Sequence, residues 1–175
     1  MSMNNPVPVV YIVDDDEDMR TSLSWLLASV KIEARCFSGP TQFLADFNST
    51  IPACLILDVR MPEIGGFDLQ AELNRRGISL ATIFVSGHGD IPMSVRALQN
   101  GAIDFVEKPY NSQEMLERIQ RALKIASETH AAARHRQDLA QRIRALTPRE
   151  QQVLDLVRMA ASKWDSKPGY EGVSW

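Results

Sequence analysis

The chain has 175 residues, 45% hydrophobic and 23% charged, with a formal net charge of −3 and two cysteines. That composition excludes disordered, collagenous and disulfide-framed chains and fits an ordinary globular protein of one domain plus an extension. No apolar run approaches the ~20 residues of a membrane span, and residues 1–8 lack the basic start and apolar stretch of a signal peptide, which predicts a cytoplasmic protein with no membrane partner.

In chain order, the first apolar run is Val9-Val10-Tyr11-Ile12-Val13, within a strand predicted over 7–13 and closed by Asp14 and Asp15. Asp16-Glu17-Asp18 then suit the first turn of a helix, where negative charge meets the positive end of the helix dipole. Met19, Leu23, Leu26, Leu27 and Val30 follow at helical spacing. Further strands are predicted near 32–38, 53–59, 82–86 and 102–107. Helical patterns alternate with them near 40–48, 66–76, 90–100 and from 111 onward. Strands alternating with helices argue for βαβ units. The expected fold is α/β, a flavodoxin-like doubly wound five-stranded parallel sheet with five helices and a long C-terminal helical extension. Tyr11 and Trp25 read as packing residues, and Cys36 and Cys54, both on predicted strands, as buried reduced thiols.

Candidate functional residues cluster at strand ends. Asp58 closes the run Ala53-Cys54-Leu55-Ile56-Leu57 and is followed by Arg60-Met61-Pro62 and Gly65-Gly66, a loop signature. Lys108-Pro109 closes the run Ile103 to Val106. Ligands of open α/β sheets bind beyond the C-terminal ends of strands. Taken alone, Asp58 suits a helix cap as well as a site, and Lys108 suits an ordinary surface position. Together, Asp14, Asp15, Asp58 and Lys108 converge on one crevice, where crowded carboxylates repel unless a hard divalent cation lies among them. Mg²⁺ suits that place because it takes a few carboxylates and keeps several waters.

Val13-Asp14-Asp15-Asp16, Leu57-Asp58-Val59-Arg60-Met61-Pro62, Val85-Ser86-Gly87-His88-Gly89-Asp90 and Lys108-Pro109, in this order, resemble the receiver domain of bacterial two-component response regulators. Gly87-His88-Gly89-Asp90-Ile91-Pro92-Met93 and Asp104-Phe105-Val106-Glu107-Lys108-Pro109 are most similar to the FixJ type, and the resemblance spans about Val7 to Leu123. It implies that Asp58 accepts a phosphoryl group from a histidine kinase, and that Asp14, Asp15, Asp58 and the backbone carbonyl of Arg60 hold Mg²⁺. It further implies that Lys108 and the Ser86 hydroxyl engage the phosphoryl oxygens and that Phe105 is the switch aromatic, although plain core packing on the fifth strand also suits that Phe. His88, two residues past Ser86 in a Gly-flanked loop, reads as a loop residue that tunes access. Asp16 and Asp18 read as helix-start charges. The resemblance points to a phosphoacceptor switch rather than an enzyme, limited to self-phosphotransfer and autodephosphorylation. It also points to a homodimer promoted by phosphorylation through the fourth helix, fifth strand and fifth helix.

Past Leu123 the helical pattern continues without Gly or Pro until Pro148. Leu116, Ile119, Leu123 and Ala126 keep a heptad seam that weakens at His130, Ala133 and Gln137. Thr147-Pro148-Arg149-Glu150 is a helix start with a capping box. Leu146 to Val157 resembles the opening helix of a LuxR-type helix-turn-helix, but from Ser162 the chain is polar and turn-rich, and no recognition helix is legible. The expected organisation is a receiver at 7–124, a helical linker at 125–145, and a truncated or diverged start of a helix-turn-helix at 146–175. DNA is a partner only if a complete helix-turn-helix is present. Charge is asymmetric along the chain: residues 1–110 carry 8 Lys/Arg against 14 Asp/Glu, and residues 111–158 carry 9 against 6. Regulation of transcription through an attached module is the leading reading, with a stand-alone receiver acting by protein contact as the alternative. An aspartyl-phosphate phosphatase would place a second Asp at position 60, where this chain has Arg60.

Overall fold

The structure, a computed structural model, describes residues 6–87 and 91–165. The elements run β1 (Val9–Val13), α1 (Glu17–Ser29), β2 (Glu33–Phe37), α2 (Pro40–Asp46), β3 (Ala53–Asp58), α3 (Gly66–Arg75), β4 (Ala81–Ser86), α4 (Ile91–Gln99), β5 (Asp104–Glu107), α5 (Ser112–Arg144) and α6 (Pro148–Asp165). All strand pairs are parallel, in the order β2-β1-β3-β4-β5. β1 pairs with both β2 and β3, so the strand order reverses there and opens the crevice expected of a doubly wound sheet.

Two apolar layers follow from the period of two along each strand. Val10, Ile12, Cys54, Ile56, Ile83, Val85 and Val106 pack with Leu23 and Leu27 of α1 and with Met115, Ile119 and Ala122 of α5. On the other face, Tyr11, Val13, Leu55, Leu57 and Phe84 pack with Phe43 of α2, Leu69 and Leu73 of α3 and Ala97 of α4. With both faces covered, β1, β3 and β4 are buried at every position, and their sequences read as continuous apolar runs.

Three readings of individual residues change in the structure. Trp25 is 74% exposed, because Leu23 and Leu27 turn α1 toward the sheet and the residue midway between them points away. Cys36 is exposed, since β2 is an edge strand with only Phe37 fully covered; Cys54, on central β3, is buried as expected. Leu116, Ile119, Leu123 and Ala126 are buried core residues of the sheet layer, so the apparent heptad seam is the face that docks α5 on the sheet.

The chain divides into two compact units, residues 1–131 and 132–175. Within the first, the last tie of α5 is the ring of His130, whose Nε2 lies 2.9 Å from the Thr50 carbonyl oxygen. Within the second, Thr147 and Glu150 form the reciprocal capping box at the start of α6. The Thr147 amide donates to Glu150 Oε2 at 2.8 Å, and the Glu150 amide to Thr147 Oγ1 at 3.4 Å. α6 runs past Ser162 to Asp165, in keeping with the absence of Gly or Pro before Pro168.

Candidate functional site

Three strand ends build the site. Asp14 follows β1, Asp58 ends β3, and Lys108 follows β5, joined to Pro109 through a cis peptide bond. The Lys108 ammonium donates to Asp14 Oδ2 at 2.8 Å and to Asp58 Oδ1 at 3.1 Å, bridging residues 94 and 50 positions away along the chain. Asp14 and Asp58 are buried and Asp15 is exposed. One oxygen from each of the three carboxylates lies within 4.8 Å of the other two, a group that could hold a metal ion.

Backbone contacts fix the carboxylates. The Arg60 amide donates to Asp58 Oδ2 at 2.9 Å, which ties Arg60 to the site. The Asp16 amide donates to Asp14 Oδ1 at 2.9 Å. Asp16 itself caps α1 by accepting from the amides of Asp18 and Met19, a structural role. Three carboxylates against one ammonium leave an excess of two negative charges. The donor set is all oxygen and open to solvent on the Asp15 side, and both features fit Mg²⁺. Beside Asp15 a cleft of about 270 Å³ opens toward Thr41, Gln42, Pro62 and Glu63.

Burial raises the Asp58 carboxyl above its ordinary value, against the hydrogen bond and charge of Lys108, and the charge of Asp14 adds to the rise. For Lys108, burial favours the neutral amine, but its hydrogen bonds to Asp14 and Asp58 prevail, and the net shift is upward. Lys108 therefore opposes the rise at Asp58, and the carboxylates in turn hold Lys108 in its charged form.

Ser86 ends β4 fully buried, one position past the Val85 that pairs in register with Asp58, and its carbonyl accepts from the Lys108 amide at 2.8 Å. Phe105 is half-buried against the layer of the sheet that covers Phe84, its register partner. His88 lies outside the described residues.

Sequence reasoning passed over three contributors. Arg20 of α1 reaches back and donates to the carbonyls of Asp14 (2.7 Å) and Asp15 (2.9 Å), holding the acidic loop. A basic residue one turn into the first helix was a usable signal, since helical side chains lean toward the N-terminus. Gly66 was read only as a loop glycine, yet a Cβ there would sit 2.2 Å from the Asp58 carbonyl oxygen, a packing demand that no sequence pattern reveals. Tyr110, half-buried beside the site, has its hydroxyl pushed up by burial and by the charge of Asp14.

An open parallel sheet with carboxylates and a lysine at its carboxyl edge is the architecture of a receiver-type domain. The response regulator receiver domain family matches residues 10–120, and the chain belongs to that family. Among curated relatives, the response regulator protein TodT of Pseudomonas putida is 44% identical over 155 residues, covering 89% of this chain and 68% of TodT. The transcriptional regulatory protein FixJ of Azorhizobium caulinodans is 37% identical, covering 88% of this chain and 74% of its own. Among solved structures, the response regulator StyR superposes with a TM-score of 0.80 at 39% identity, over 86% of this chain and 76% of StyR. Full-length FixJ from B. japonicum superposes with a TM-score of 0.62 at 31% identity, over 91% and 81%. The chain is thus a two-component response regulator whose relatives include transcriptional regulators. Receiver domains typically bind Mg²⁺ at an acidic cluster, here Asp14, Asp15 and Asp58. Among the described residues no helix is long and apolar enough to cross a membrane.

Proposed function

We propose that this protein is a phosphorylation switch in which Asp58 accepts a phosphoryl group from a histidine kinase and an attached output module regulates transcription. The observation that carries the reading is the bridge of Lys108 between Asp14 and Asp58, because it places one mobile cation beside a carboxylate nucleophile in an acidic crevice. In the transfer, an Asp58 carboxylate oxygen bonds to phosphorus, the P–N bond to the donor imidazole breaks, and its electron pair leaves with the nitrogen. Asp14, Asp15, Asp58 and the Arg60 carbonyl would hold Mg²⁺, which when bound would offset the charge of the phosphoryl group. Lys108 exchanges a carboxylate partner for a phosphoryl oxygen, and the Ser86 hydroxyl meets another.

The new group carries about −1.5 to −2 charges at neutral pH. Pairing them draws Ser86 and Lys108 inward, turns Phe105, and favours a second arrangement of α4, β5 and α5. A hundredfold shift requires about 2.7 kcal/mol of differential interaction, within the reach of one or two charge-assisted hydrogen bonds. That face then pairs two copies of the chain. The receiver comprises residues 7–124, residues 125–145 act as a helical linker, and the segment from Leu146 begins the output module. DNA is bound only where a complete helix-turn-helix is present. The protein acts as a switch, with no turnover beyond its own phosphorylation and dephosphorylation, and works in the cytoplasm beside its kinase. The exposed apolar side chains of α6, which suit a partner surface, also support a second reading as a receiver that signals by protein contact.

Incubation with acetyl phosphate and Mg²⁺ should add one phosphoryl group by intact mass, and Asp58→Asn should abolish the gain. A mass gain retained in that variant overturns the assignment. Sedimentation with and without beryllofluoride, which stands in for the phosphoryl group on Asp58, should show the dimer in its presence and a chain that is mainly monomeric, or only weakly paired through the helical extension, without it.

A further inference from the structure

Asp15 is the least restrained of the three carboxylates. Asp14 is held by Lys108 and the Asp16 amide, and Asp58 by Lys108 and the Arg60 amide. The Asp15 carboxylate is exposed, and among the described residues no protein group donates to it. The hydrogen bond that Asp15 does make is through its backbone. Arg20 Nη1 donates to the Asp15 carbonyl at 2.9 Å and to the Asp14 carbonyl at 2.7 Å.

Two consecutive carbonyls on one nitrogen make a specific geometry. Along an extended strand successive carbonyls point to opposite sides, so the shared donor holds the chain in the bend at Asp15 that follows β1. Those carbonyls belong to the two planar peptide units that flank the Asp15 Cα. Fixing both planes fixes the direction of the Asp15 Cα–Cβ bond, and with it where the carboxylate starts from. The place of Arg20 also needs a cause. It is the fourth residue of α1, where a cation opposes the positive end of the helix dipole. It forms no ion pair among the described residues. Neither the helix nor a salt bridge accounts for it, and the two backbone contacts do.

We propose that Arg20 is a positioning residue for the metal site: it holds Asp15 in the orientation that Mg²⁺ requires and so sets the affinity of the site for that ion. The inference rests on the switch reading above and deepens it. Charge and position act with opposite signs here. A guanidinium repels a dication, so if its charge dominated, removing Arg20 would tighten Mg²⁺. Loss of a contact behind a metal ligand instead weakens the metal about 10–100-fold. Arg20 is partly exposed, and solvent and salt screen the repulsion, so position prevails.

Isothermal titration of the full chain with Mg²⁺ tests this. Arg20→Met keeps a long unbranched stem of similar helix preference and should weaken Mg²⁺ by about tenfold or more in a chain that remains folded by circular dichroism. The rate of phosphoryl mass gain from acetyl phosphate should fall at low Mg²⁺ and recover at saturating Mg²⁺, because binding rather than transfer is impaired. Unchanged or tighter Mg²⁺ affinity in the folded variant overturns the proposal, and so does a rate deficit that persists at saturation. A second measurement uses the natural sequence and stands even if the variant fails to fold. By reciprocity, Mg²⁺ strengthens the Arg20 contacts as much as they strengthen Mg²⁺ binding. Rotation of the Arg20 guanidinium, followed by nitrogen NMR of its Nη groups, should therefore slow over the same Mg²⁺ range, and rotation indifferent to Mg²⁺ overturns the proposal. The switch reading fails separately, if the natural chain binds Mg²⁺ yet gains no phosphoryl mass.

Discussion

The two compact units solve the same problem to different degrees. In residues 1–131 every central strand is covered on both faces, and the apolar side of α5 as far as Ala126 lies in the core. In residues 132–175 the helix start of α6 is fully specified by its capping box, yet Val153, Leu156, Val157 and Met159 are 59–66% exposed. Helix formation is a local matter of caps and propensity, whereas burial needs partners from elsewhere. A stretch of chain can therefore carry a complete set of helix signals without a core of its own.

The largest test of that contrast is truncation of apolar side chains in the two units. Ile119→Ala removes a fully buried side chain between α5 and the sheet and should cost about 2–5 kcal/mol in urea unfolding. Leu156→Ala should fall within about 0.5 kcal/mol. Equal losses would mean that α6 is packed as firmly as α5.

Next in size is Lys108→Met, which removes the cation shared by two buried carboxylates and should destabilise the first unit by about 1–3 kcal/mol at neutral pH. The sign follows from Asp58. Its folded value already lies above the ordinary one because burial outweighs Lys108, and loss of Lys108 raises it further. A carboxyl raised in the folded state costs stability wherever the unfolded chain is ionised and the folded one resists ionisation. The deficit should therefore be full at neutral pH, shrink as pH falls through the raised Asp58 value, and vanish below the ordinary carboxyl range near 3.9. A deficit that does not change with pH would mean that Lys108 acts through packing alone.

The smallest effect is Thr147→Ala. Loss of the capping box should weaken α6 by about 1 kcal/mol, seen as faster amide exchange in its first turns, and leave the unfolding of the first unit unmoved. A matching shift in the first unit would show that the two units unfold together.

Several features of this protein were legible without coordinates. The alternation of apolar runs with helical patterns, the acidic residues at the ends of the first and third runs, and Lys108-Pro109 at the end of the fifth are all local, because strand ends and turn residues leave fixed marks on sequence. The thiol of Cys54 followed from the same logic, since a residue in a continuous apolar run of a parallel sheet is buried; its pKa is pushed up to about 12 by that burial. The start of α6 at Thr147 was legible because a capping box is written within four residues.

What needed tertiary structure is every fact that depends on two distant segments meeting. Trp25 and Cys36 share the composition of buried residues but lie on the outer side of α1 and on the edge strand, and strand order is not written in the sequence. The heptad-like spacing from Leu116 to Ala126 fits a coiled coil and a sheet-facing helix equally well, and only the sheet decided between them. The same holds for the Lys108 bridge, the grip of Arg20 on the acidic loop and the space denied to a Cβ at Gly66. Periodicity records which face of an element is apolar, and chain folding alone determines what that face meets.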